Sequence, residues 1–247
     1  MNKIQEVNIQ DFDYSLPDNR IAKYPLEKRS DSKLLHYSRG NITDLPFTEI
    51  VSLFLPNDLW VVNNTKVIPA RLHFTKSTGA SIEIFCLEPL HMDYTQALSQ
   101  KNTGVWKCFV GGAKKWKEGE LYLPVQVNGK EVILSAQSLE KFENAFIISF
   151  KWEGATFSEI LDAIGELPIP PYLNRDTEPE DYDRYQTLFA ETSGSVAAPT
   201  ASLHFDKEVM EGIDKKGVKK MSLTLHVGAG TFKPVNAEQL KDHVMHA

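Results

Sequence analysis

The hydrophobic and polar positions of residues 1–70 follow the patterns of both helices and strands. Apolar side chains recur at helical spacing over residues 48–55, and Pro56 ends the pattern because proline cannot continue a helix. Residues 58–63 form a short apolar run with polar ends, which predicts a buried strand. This strand delivers the polar segment 63–66 at its C-terminal end, where α/β sheets often present groups to ligands.

Between residues 71 and 152 the pattern changes to short, closely spaced runs rich in β-branched and aromatic side chains. Turn signals separate these runs, among them Asn128-Gly129, which is typical of a two-residue hairpin. No convincing helical pattern lies between the runs. The region therefore predicts an antiparallel sheet or a small barrel.

Helical and extended patterns return after residue 152. Residues 156–165 predict a helix closed by glycine, and residues 203–215 predict a second helix. Between the two, the prolines of residues 168–173 bias the chain away from helix and predict an extended segment. Residues 221–227 predict a strand that leads into a loop containing glycine.

Together these patterns predict an α/β domain with an inserted antiparallel β-barrel-like domain. The α/β domain is discontinuous, over residues 1–70 and 153–247, and the inserted domain covers residues 71–152. A chain of 247 residues is long enough for one large core or two smaller ones. Its content of 42% hydrophobic and 24% charged residues is typical of a soluble globular protein.

The two cysteines and the N-terminal sequence indicate a cytoplasmic protein. Cys86 and Cys108 both lie in predicted strands, and we interpret them as buried thiols in a reducing compartment. Because cysteines do not cluster, no zinc site is expected. The N-terminus is polar and no apolar run is long enough to span a membrane, so we expect neither a signal peptide nor a membrane anchor.

The formal net charge of −6 argues against a nucleic-acid partner, although it does not exclude a local basic patch. One basic cluster is interleaved with tryptophans that could stack on unpaired bases. The alternative, favoured by the residues alone, is a solvated face with Trp106 and Trp116 half-buried in a sheet. The candidate RNA-binding residues are Lys114, Lys115, Trp116 and Lys117. We interpret the acidic run from Asp176 to Asp183 as an exposed loop.

Two segments near the C-terminus combine small residues with a single histidine each. Residues 194–205 contain His204, and residues 223–232 contain His226. Glycine, alanine and serine let a ligand approach backbone N–H groups closely, and histidine moves protons near neutral pH. A structural role for either histidine, or a tight turn that requires glycine, remains the alternative.

Other chemistries are disfavoured by the same residues. Gly228-Ala229-Gly230 lacks the third glycine and the following long helix of a dinucleotide-binding fold. Ser195 lacks the spacing of a nucleophile elbow, so acyl-enzyme chemistry is not expected. His243 and His246 have helical spacing but no obvious third metal ligand. A base or hydrogen-bonding role is the better functional interpretation of this pair.

Eight segments of the chain, in order, resemble the motifs of the S-adenosylmethionine:tRNA ribosyltransferase-isomerases, a family of queuosine-biosynthesis enzymes. The resemblance runs from Phe12 to His246 and so covers nearly the whole chain. Its number of collinear motifs makes it specific. The segments are residues 12–17, 24–29, 63–71, 165–168, 184–187, 194–205, 223–232 and 243–246.

The resemblance implies a β-barrel-like domain inserted in an α/β domain and a defined reaction. The ribosyl part of S-adenosylmethionine moves onto 7-aminomethyl-7-deazaguanine at the wobble position of tRNA. Epoxyqueuosine forms, and adenine and methionine are released. S-adenosylmethionine is then a ribosyl-donor substrate, no metal is implied, and tRNA is the macromolecular partner. A cytoplasmic monomer without membrane contact is expected.

The matching motifs also supply the candidate site residues. His204 and His226 are candidate catalytic residues, for proton transfer or for contact with the leaving group. The candidate substrate-binding residues are Asn63, Asn64, Lys66, Arg71, Ser195, Thr200, Gly228, Gly230, Thr231, His243 and His246. Which residue is the catalytic base stays open.

The chain departs from the family pattern at two places. Ser202 stands where the family usually has glycine, and the family normally continues beyond the position of Ala247. The resemblance thus implies an α/β domain that is incomplete at its C-terminus. The alternatives to the enzyme are a non-catalytic RNA-binding derivative, a truncated inactive form, and a different transferase or ligase that uses S-adenosylmethionine.

Overall fold

A computed structural model describes residues 7–142, 144–232, 235 and 237–243. Its first four strands are a hairpin and two short strands, each of which pairs in parallel with a strand from the C-terminal part of the chain. The hairpin consists of β1 (Lys33–Ser38) and β2 (Asn41–Pro46), which pair antiparallel. The short helix α1 (Ile50–Leu53) is followed by β3 (Leu59–Asn63) and β4 (Thr65–Val67).

Six strands and one helix form the middle of the chain. They are β5 (Arg71–Thr75), β6 (Ser81–Pro89), helix α2 (Tyr94–Ser99), β7 (Thr103–Gly111), β8 (Leu121–Val127), β9 (Lys130–Phe142) and β10 (Ala145–Lys151). All neighbouring strands of this sheet are antiparallel, in the order β5-β6-β7-β10-β9-β8. The edge strands β5 and β8 approach each other, so the sheet is a nearly closed barrel.

The C-terminal part contains α3 (Phe157–Ile164), α4 (Asp181–Arg184), β11 (Thr192–Ser195), α5 (Lys207–Lys215) and β12 (Lys219–Leu223). Strand β11 pairs with β4 and strand β12 pairs with β3, and both pairs are parallel. The α/β class with an inserted antiparallel barrel-like sheet is therefore confirmed. The domain boundaries at residues 71 and 152 stay a prediction.

The barrel interior holds the largest core of the molecule. Trp106 is fully buried there, and the ring of Phe157 on α3 packs 5.3 Å from it and 5.0 Å from Trp152. Helix α3 begins at Thr156, whose side chain and that of Glu159 form a reciprocal capping box. The helix therefore packs against the barrel core, and the predicted helix over residues 156–165 is confirmed.

The turn between β8 and β9 is confirmed as a two-residue hairpin. Val127 pairs with Lys130, and both intervening residues have positive φ, 50° at Asn128 and 76° at Gly129. A type I′ turn requires positive φ at both central positions, and its backbone twist matches that of the flanking strands. Asparagine and glycine adopt positive φ readily. Cys86 and Cys108 lie opposite each other on β6 and β7, and both are buried free thiols, as expected.

A second core lies between α5 and β3. It is built from Phe47, Val62, Phe189, Phe205, Val209 and Ile213. Strand β3 is covered only on this side, because Leu59 and Val61 are 56% and 51% exposed. The predicted strand is thus present, but it is buried on one face rather than on both.

Several predicted elements differ in extent. The helix predicted over residues 48–55 is a single 3₁₀ turn followed by α1, and the helix predicted from residue 203 begins after Asp206, whose side chain caps it. The segment predicted to be extended ends in a 3₁₀ turn at Pro171–Leu173. The strand predicted over residues 221–227 pairs as β12 only as far as Leu223.

The acidic run is not uniformly an exposed loop. Asp181 is 6% exposed, and its two carboxylate oxygens accept hydrogen bonds from Arg175 at 2.6 and 2.7 Å. The guanidinium holds the pKa of Asp181 below its usual range. Arg175 also donates to the carbonyl of Lys23 and lies over the ring of Tyr24, so this pair anchors the N-terminal segment. None of the described helices is long and apolar enough to cross a membrane.

Candidate functional site

The two small-residue segments meet beside β4. Strand β11 runs parallel to β4, and the Ile68 amide donates to the Ser195 carbonyl at 2.9 Å. On the other side, the Val196 amide donates to the Val227 carbonyl at 3.0 Å. Residues 194–196 therefore lie between β4 and the segment that follows β12.

Three polar side chains form a continuous chain at this junction. Ser195 Oγ lies 2.9 Å from Thr65 Oγ1, and Thr65 Oγ1 lies 2.8 Å from His226 Nδ1. The Val227 amide donates to Ser195 Oγ at 2.7 Å. Ser195 and Thr65 are fully buried, whereas the His226 ring is half-buried. We name these three residues the Ser195–Thr65–His226 chain.

The absence of a side chain at Gly194 leaves room for the His226 ring. A Cβ atom at residue 194 would lie 2.6 Å from His226 Cε1, and the φ of Gly194 is +151°. Glycine is therefore required here both for the backbone conformation and for the close approach of the ring. The His226 ring also contacts Tyr94 on α2, with ring centroids 4.9 Å apart.

The surroundings of His226 favour its neutral form. Burial lowers the pKa of His226, and the nearby Asp93 carboxylate acts in the opposite direction. Burial also raises the pKa of Tyr94 to about 12, and its hydroxyl donates to the Leu87 carbonyl. At neutral pH the site thus presents an uncharged imidazole beside an uncharged phenol.

The two predicted asparagines hold the second small-residue segment to the end of β3. The Asn63 amide donates to the Leu225 carbonyl at 2.8 Å, and its oxygen accepts from the Leu225 and Thr65 amides. The Asn64 amide donates to Glu191, and its oxygen accepts from Thr224. Their side chains position the loop that carries His226.

Lys66 and Arg71 lie farther along the same segment. The Lys66 side chain is exposed between two buried neighbours of β4. Arg71 lies over the ring of Phe85 at 5.1 Å and 3.6 Å from a Glu83 oxygen. Its main chain exchanges hydrogen bonds with Glu166.

His204 lies in different surroundings from His226. Its Nδ1 is 3.1 Å from Ser32 Oγ, and its ring packs 5.3 Å from Phe47, at the edge of the core beneath α5. Partial burial and the Arg29 charge lower the pKa of His204. The structure thus joins Ser195 and His226 through Thr65, and it gives His204 a separate set of neighbours. Thr200 is exposed at the start of a 3₁₀ turn.

Gly228, unlike Gly194, does not lie at a position that requires glycine. A Cβ atom at Gly228 would meet nothing within 4 Å, and its φ is outside the left-handed region. Gly230 and Thr231 belong to a 3₁₀ turn at Ala229–Phe232. His243 follows another such turn, and His246 lies outside the described residues.

The basic cluster of the barrel separates into exposed lysines and a buried tryptophan. Lys114, Lys115 and Lys117 are exposed, whereas Trp116 is 8% exposed and donates from Nε1 to the Gly119 carbonyl at 3.0 Å. The burial of Trp116 favours packing over base stacking in this conformation. The lysines are left to face solvent around the anchored ring.

Two residues of the site were missed by sequence reasoning. Thr65 lies inside the motif of residues 63–71, so a hydroxyl beside the two asparagines was the available signal. Tyr94 carried no local signal, because only the tertiary fold brings α2 against His226. Among the described residues, no group of three or more histidine, cysteine, aspartate or glutamate side chains could hold a metal ion.

These features define an α/β protein with an inserted barrel and a hydroxyl–histidine site beside its parallel strands. The profile of the queuosine biosynthesis protein family matches residues 9–247, so the chain belongs to this family. The resemblance predicted from the motifs is confirmed.

Named relatives agree with this assignment. The chain is 43% identical over 250 residues to the S-adenosylmethionine:tRNA ribosyltransferase-isomerase of Acinetobacter baumannii, covering 98% of this chain and 65% of the relative. The enzyme of the same name from Trichlorobacter lovleyi is 38% identical over 240 residues, with 96% and 65% covered. The chain thus spans slightly less than two thirds of these relatives' length.

A solved structure is also similar in sequence. The S-adenosylmethionine tRNA ribosyltransferase of Thermotoga maritima is 31% identical, with 88% of this chain and 58% of that chain covered and a TM-score of 0.32.

Proposed function

We propose that the chain carries out S-adenosylmethionine:tRNA ribosyltransferase-isomerase chemistry. The ribosyl part of S-adenosylmethionine would move to the aminomethyl group of 7-aminomethyl-7-deazaguanine at the tRNA wobble position. Epoxyqueuosine forms, and adenine and methionine leave. Membership of the family and the activity named for the relatives support this proposal. S-adenosylmethionine is a substrate in this proposal, and the partner is tRNA.

The single observation that carries the proposal is the placement of His226. A half-buried, neutral imidazole lies on a buried hydroxyl pair, next to a glycine segment with open space at Gly228. Ribosyl transfer from a sulfonium needs removal of an acidified proton beside sulfur and assistance to adenine departure. Gly228, Gly230 and Thr231 would meet the nucleoside or its carboxylate through backbone groups, and His204 and His243 remain further candidates for proton transfer.

The tRNA would meet the barrel at its exposed lysines. We place phosphate contacts at Lys114, Lys115 and Lys117, around the buried Trp116. A base in an anticodon loop must leave its stack to reach an active site, so a basic surface elsewhere on the protein is needed to hold the tRNA backbone. We further propose that the protein acts as a cytoplasmic monomer.

The test is product analysis with the 247-residue chain. The protein is incubated with S-adenosylmethionine and tRNA that carries 7-aminomethyl-7-deazaguanine, and free adenine and the wobble nucleoside are measured by mass spectrometry. Adenine release that depends on the modified tRNA, together with epoxyqueuosine, is expected. Methylated tRNA or S-adenosylhomocysteine would identify a different transferase. Binding of tRNA without adenine release would identify the non-catalytic alternative.

A further inference from the structure

The hydrogens of the Ser195–Thr65–His226 chain can be placed by counting donors and acceptors. Each hydroxyl has one hydrogen to donate, and a neutral imidazole donates from one nitrogen and accepts at the other. Ser195 Oγ already accepts from the Val227 amide at 2.7 Å, since an amide can only donate. The remaining contacts are the 2.9 Å hydroxyl pair and the 2.8 Å contact between Thr65 Oγ1 and His226 Nδ1.

Hydroxyl hydrogens rotate, so either hydroxyl of the pair can donate to the other, and the two tautomers of His226 differ in whether one hydrogen is orphaned. If His226 Nδ1 carries the proton, it donates to Thr65 and Thr65 donates to Ser195. The Ser195 hydrogen is then left without an acceptor among the contacts of the described residues. If Nδ1 is bare, Ser195 donates to Thr65 and Thr65 donates to Nδ1, so every hydrogen is used. Ser195 and Thr65 are fully buried, and an orphaned buried hydroxyl costs about 1–3 kcal/mol.

We propose that Ser195 and Thr65 are positioning residues that hold His226 as the neutral tautomer protonated on Nε2. In the part of the chain that the structure describes, Nε2 has no hydrogen-bond partner, and it does not belong to the buried unpaired atoms. It therefore remains available to a ligand. In this tautomer Nε2 can only donate a hydrogen bond, so His226 cannot accept a proton there.

The consequence for the reaction rests on the proposed function. A neutral imidazole that donates from Nε2 suits contact with a nitrogen of the departing adenine, which gains electron density as its bond to the ribose breaks. Neutral histidines act as such hydrogen-bond donors in other enzymes. The base that removes the proton beside the sulfonium must then be another group. His226 is assigned leaving-group contact, with no proton transferred from it.

The tautomer can be read directly from nitrogen chemical shifts. The 247-residue protein is labelled with ¹⁵N-histidine, and a long-range ¹H–¹⁵N correlation spectrum is recorded above pH 7. The signals of His226 are assigned by their absence in His226→Gln. We expect a protonated-type shift at Nε2 and an unprotonated-type shift at Nδ1. A protonated-type shift at Nδ1 in the wild-type protein overturns the proposal, whatever the variants do.

Variants separate positioning from simple packing. Thr65→Val has the same shape and removes the hydroxyl, so the Nδ1 signal should shift toward a mixture of tautomers. Thr65→Ser should restore the wild-type shifts, and Ser195→Ala should move them part of the way. Adenine release should be lost in Thr65→Val and return in Thr65→Ser. If Thr65→Val folds and leaves the Nδ1 shift unchanged, the hydroxyl pair does not set the tautomer.

Failure of this inference and failure of the proposed function give different results. The predicted tautomer without adenine release from any modified tRNA contradicts the function and leaves the hydrogen-bond chain intact. Adenine release by a protein whose His226 carries its proton on Nδ1 contradicts the inference and leaves the function intact.

Discussion

At the scale of single residues, we expect opposite effects from substituting Gly194, on β11, and Gly228, on the segment that follows β12. In Gly194→Ala the new Cβ would meet the His226 ring at 2.6 Å, at a φ of +151°. We expect a loss of roughly 1–3 kcal/mol in the free energy of unfolding, because both the backbone and the ring must move. Denaturant unfolding measures this change.

Gly228→Ala is the matched control for that prediction. Its Cβ would enter open space, so stability should change by less than about 0.5 kcal/mol. If the Gly228 backbone contacts S-adenosylmethionine, the same variant should weaken binding in calorimetry without changing stability. Equal destabilisation by both variants would contradict the argument from close approach.

The protonation of His226 makes stability depend on pH. Burial lowers the pKa of His226 in the folded protein below the ordinary value of about 6.5, and the Asp93 carboxylate acts in the opposite direction. The groups that contact the ring, Thr65 and Tyr94, are uncharged. As pH falls, the unfolded chain therefore binds the proton first. The stability that neutral His226 contributes to the folded protein is complete above about pH 6.5. It is lost as the pH falls through the pKa that His226 has in the folded protein.

We expect His226→Gln to reduce the pH dependence of the unfolding free energy between about pH 7 and pH 5. His36→Gln is the control, because His36 is a half-buried residue of β1 outside the site. Denaturant unfolding at several pH values measures the slope. A slope that stays at the wild-type value in His226→Gln would show that this histidine does not carry the effect.

How far sequence reasoning reached can be seen at individual residues. The pattern of small residues around a histidine, which has few structural uses, makes His226 a candidate site residue, and that signal is local. The role of Thr65 depends on a parallel pairing between β4 and β11, which no local pattern records. Trp116 shows the opposite case: the residues favoured a half-buried ring in a sheet, but the ring is 8% exposed beside a 3₁₀ turn and donates to the Gly119 carbonyl.

At the scale of elements, helix α3 is fixed at its two ends by different means. Thr156 caps its start, and at its end a Cβ on Gly165 would lie 2.0 Å from the Pro69 carbonyl oxygen and 2.5 Å from that of Leu161. Gly165→Ala should therefore destabilise the protein by roughly 3 kcal/mol or more, because main-chain atoms must move. Thr156→Ala should cost only about 1 kcal/mol. Thermal and denaturant unfolding compare the two, and a larger loss from Thr156→Ala would contradict the steric argument.

The Arg175–Asp181 pair gives a second prediction at this scale. Its side chains are 11% and 8% exposed, and Arg175→Ala would leave a buried carboxylate without its partner. A loss of about 3–5 kcal/mol is expected. The exposed pair of Lys28 and Glu208 is the control, and Glu208→Gln should change stability by less than about 1 kcal/mol. Similar small losses in both variants would mean that the buried pair does not anchor the N-terminal segment.

Elements with local causes were predictable, and elements with distant causes were less so. Helix α3 and the Asn128-Gly129 turn are determined by caps and turn residues a few positions apart, and both are confirmed. The predicted strand over residues 221–227 ends early, because its pairing is limited by the length of β3 rather than by its own sequence. The exposure of Leu59 and Val61 also has a distant cause, since it depends on which elements pack on each face of β3. An apolar run in the sequence does not record this.

At the scale of the whole molecule, charge distribution decides how tRNA could bind. The net charge of −6 repels a polyanion, so affinity must come from a local patch. Replacing Lys114, Lys115 and Lys117 by glutamine should weaken tRNA binding and reduce the slope of log K against log salt by roughly 0.7–0.9 per lost phosphate contact. Filter binding over a range of salt concentrations measures both quantities.

The control carries the same change of charge elsewhere on the barrel. Lys130, Lys141 and Lys151 are exposed on β9 and β10, and their replacement by glutamine should leave the slope almost unchanged. If both triple variants reduce the slope equally, binding follows overall charge and the loop around Trp116 has no special part in it.

The parallel pairs also constrain the order in which the chain can fold. Strands β3 and β4 are synthesised well before β12 and β11, their only strand partners in the described part of the chain. The barrel, in contrast, forms from antiparallel neighbours that are mostly adjacent along the chain, which favours early formation because little loop entropy is lost. At the base of the insertion Arg71 and Glu166 exchange main-chain hydrogen bonds, so a folded barrel brings the two flanks of the α/β part together. A barrel that forms first would thus shorten the search by which β11 finds β4, and we expect the site around His226 to assemble after the barrel has closed.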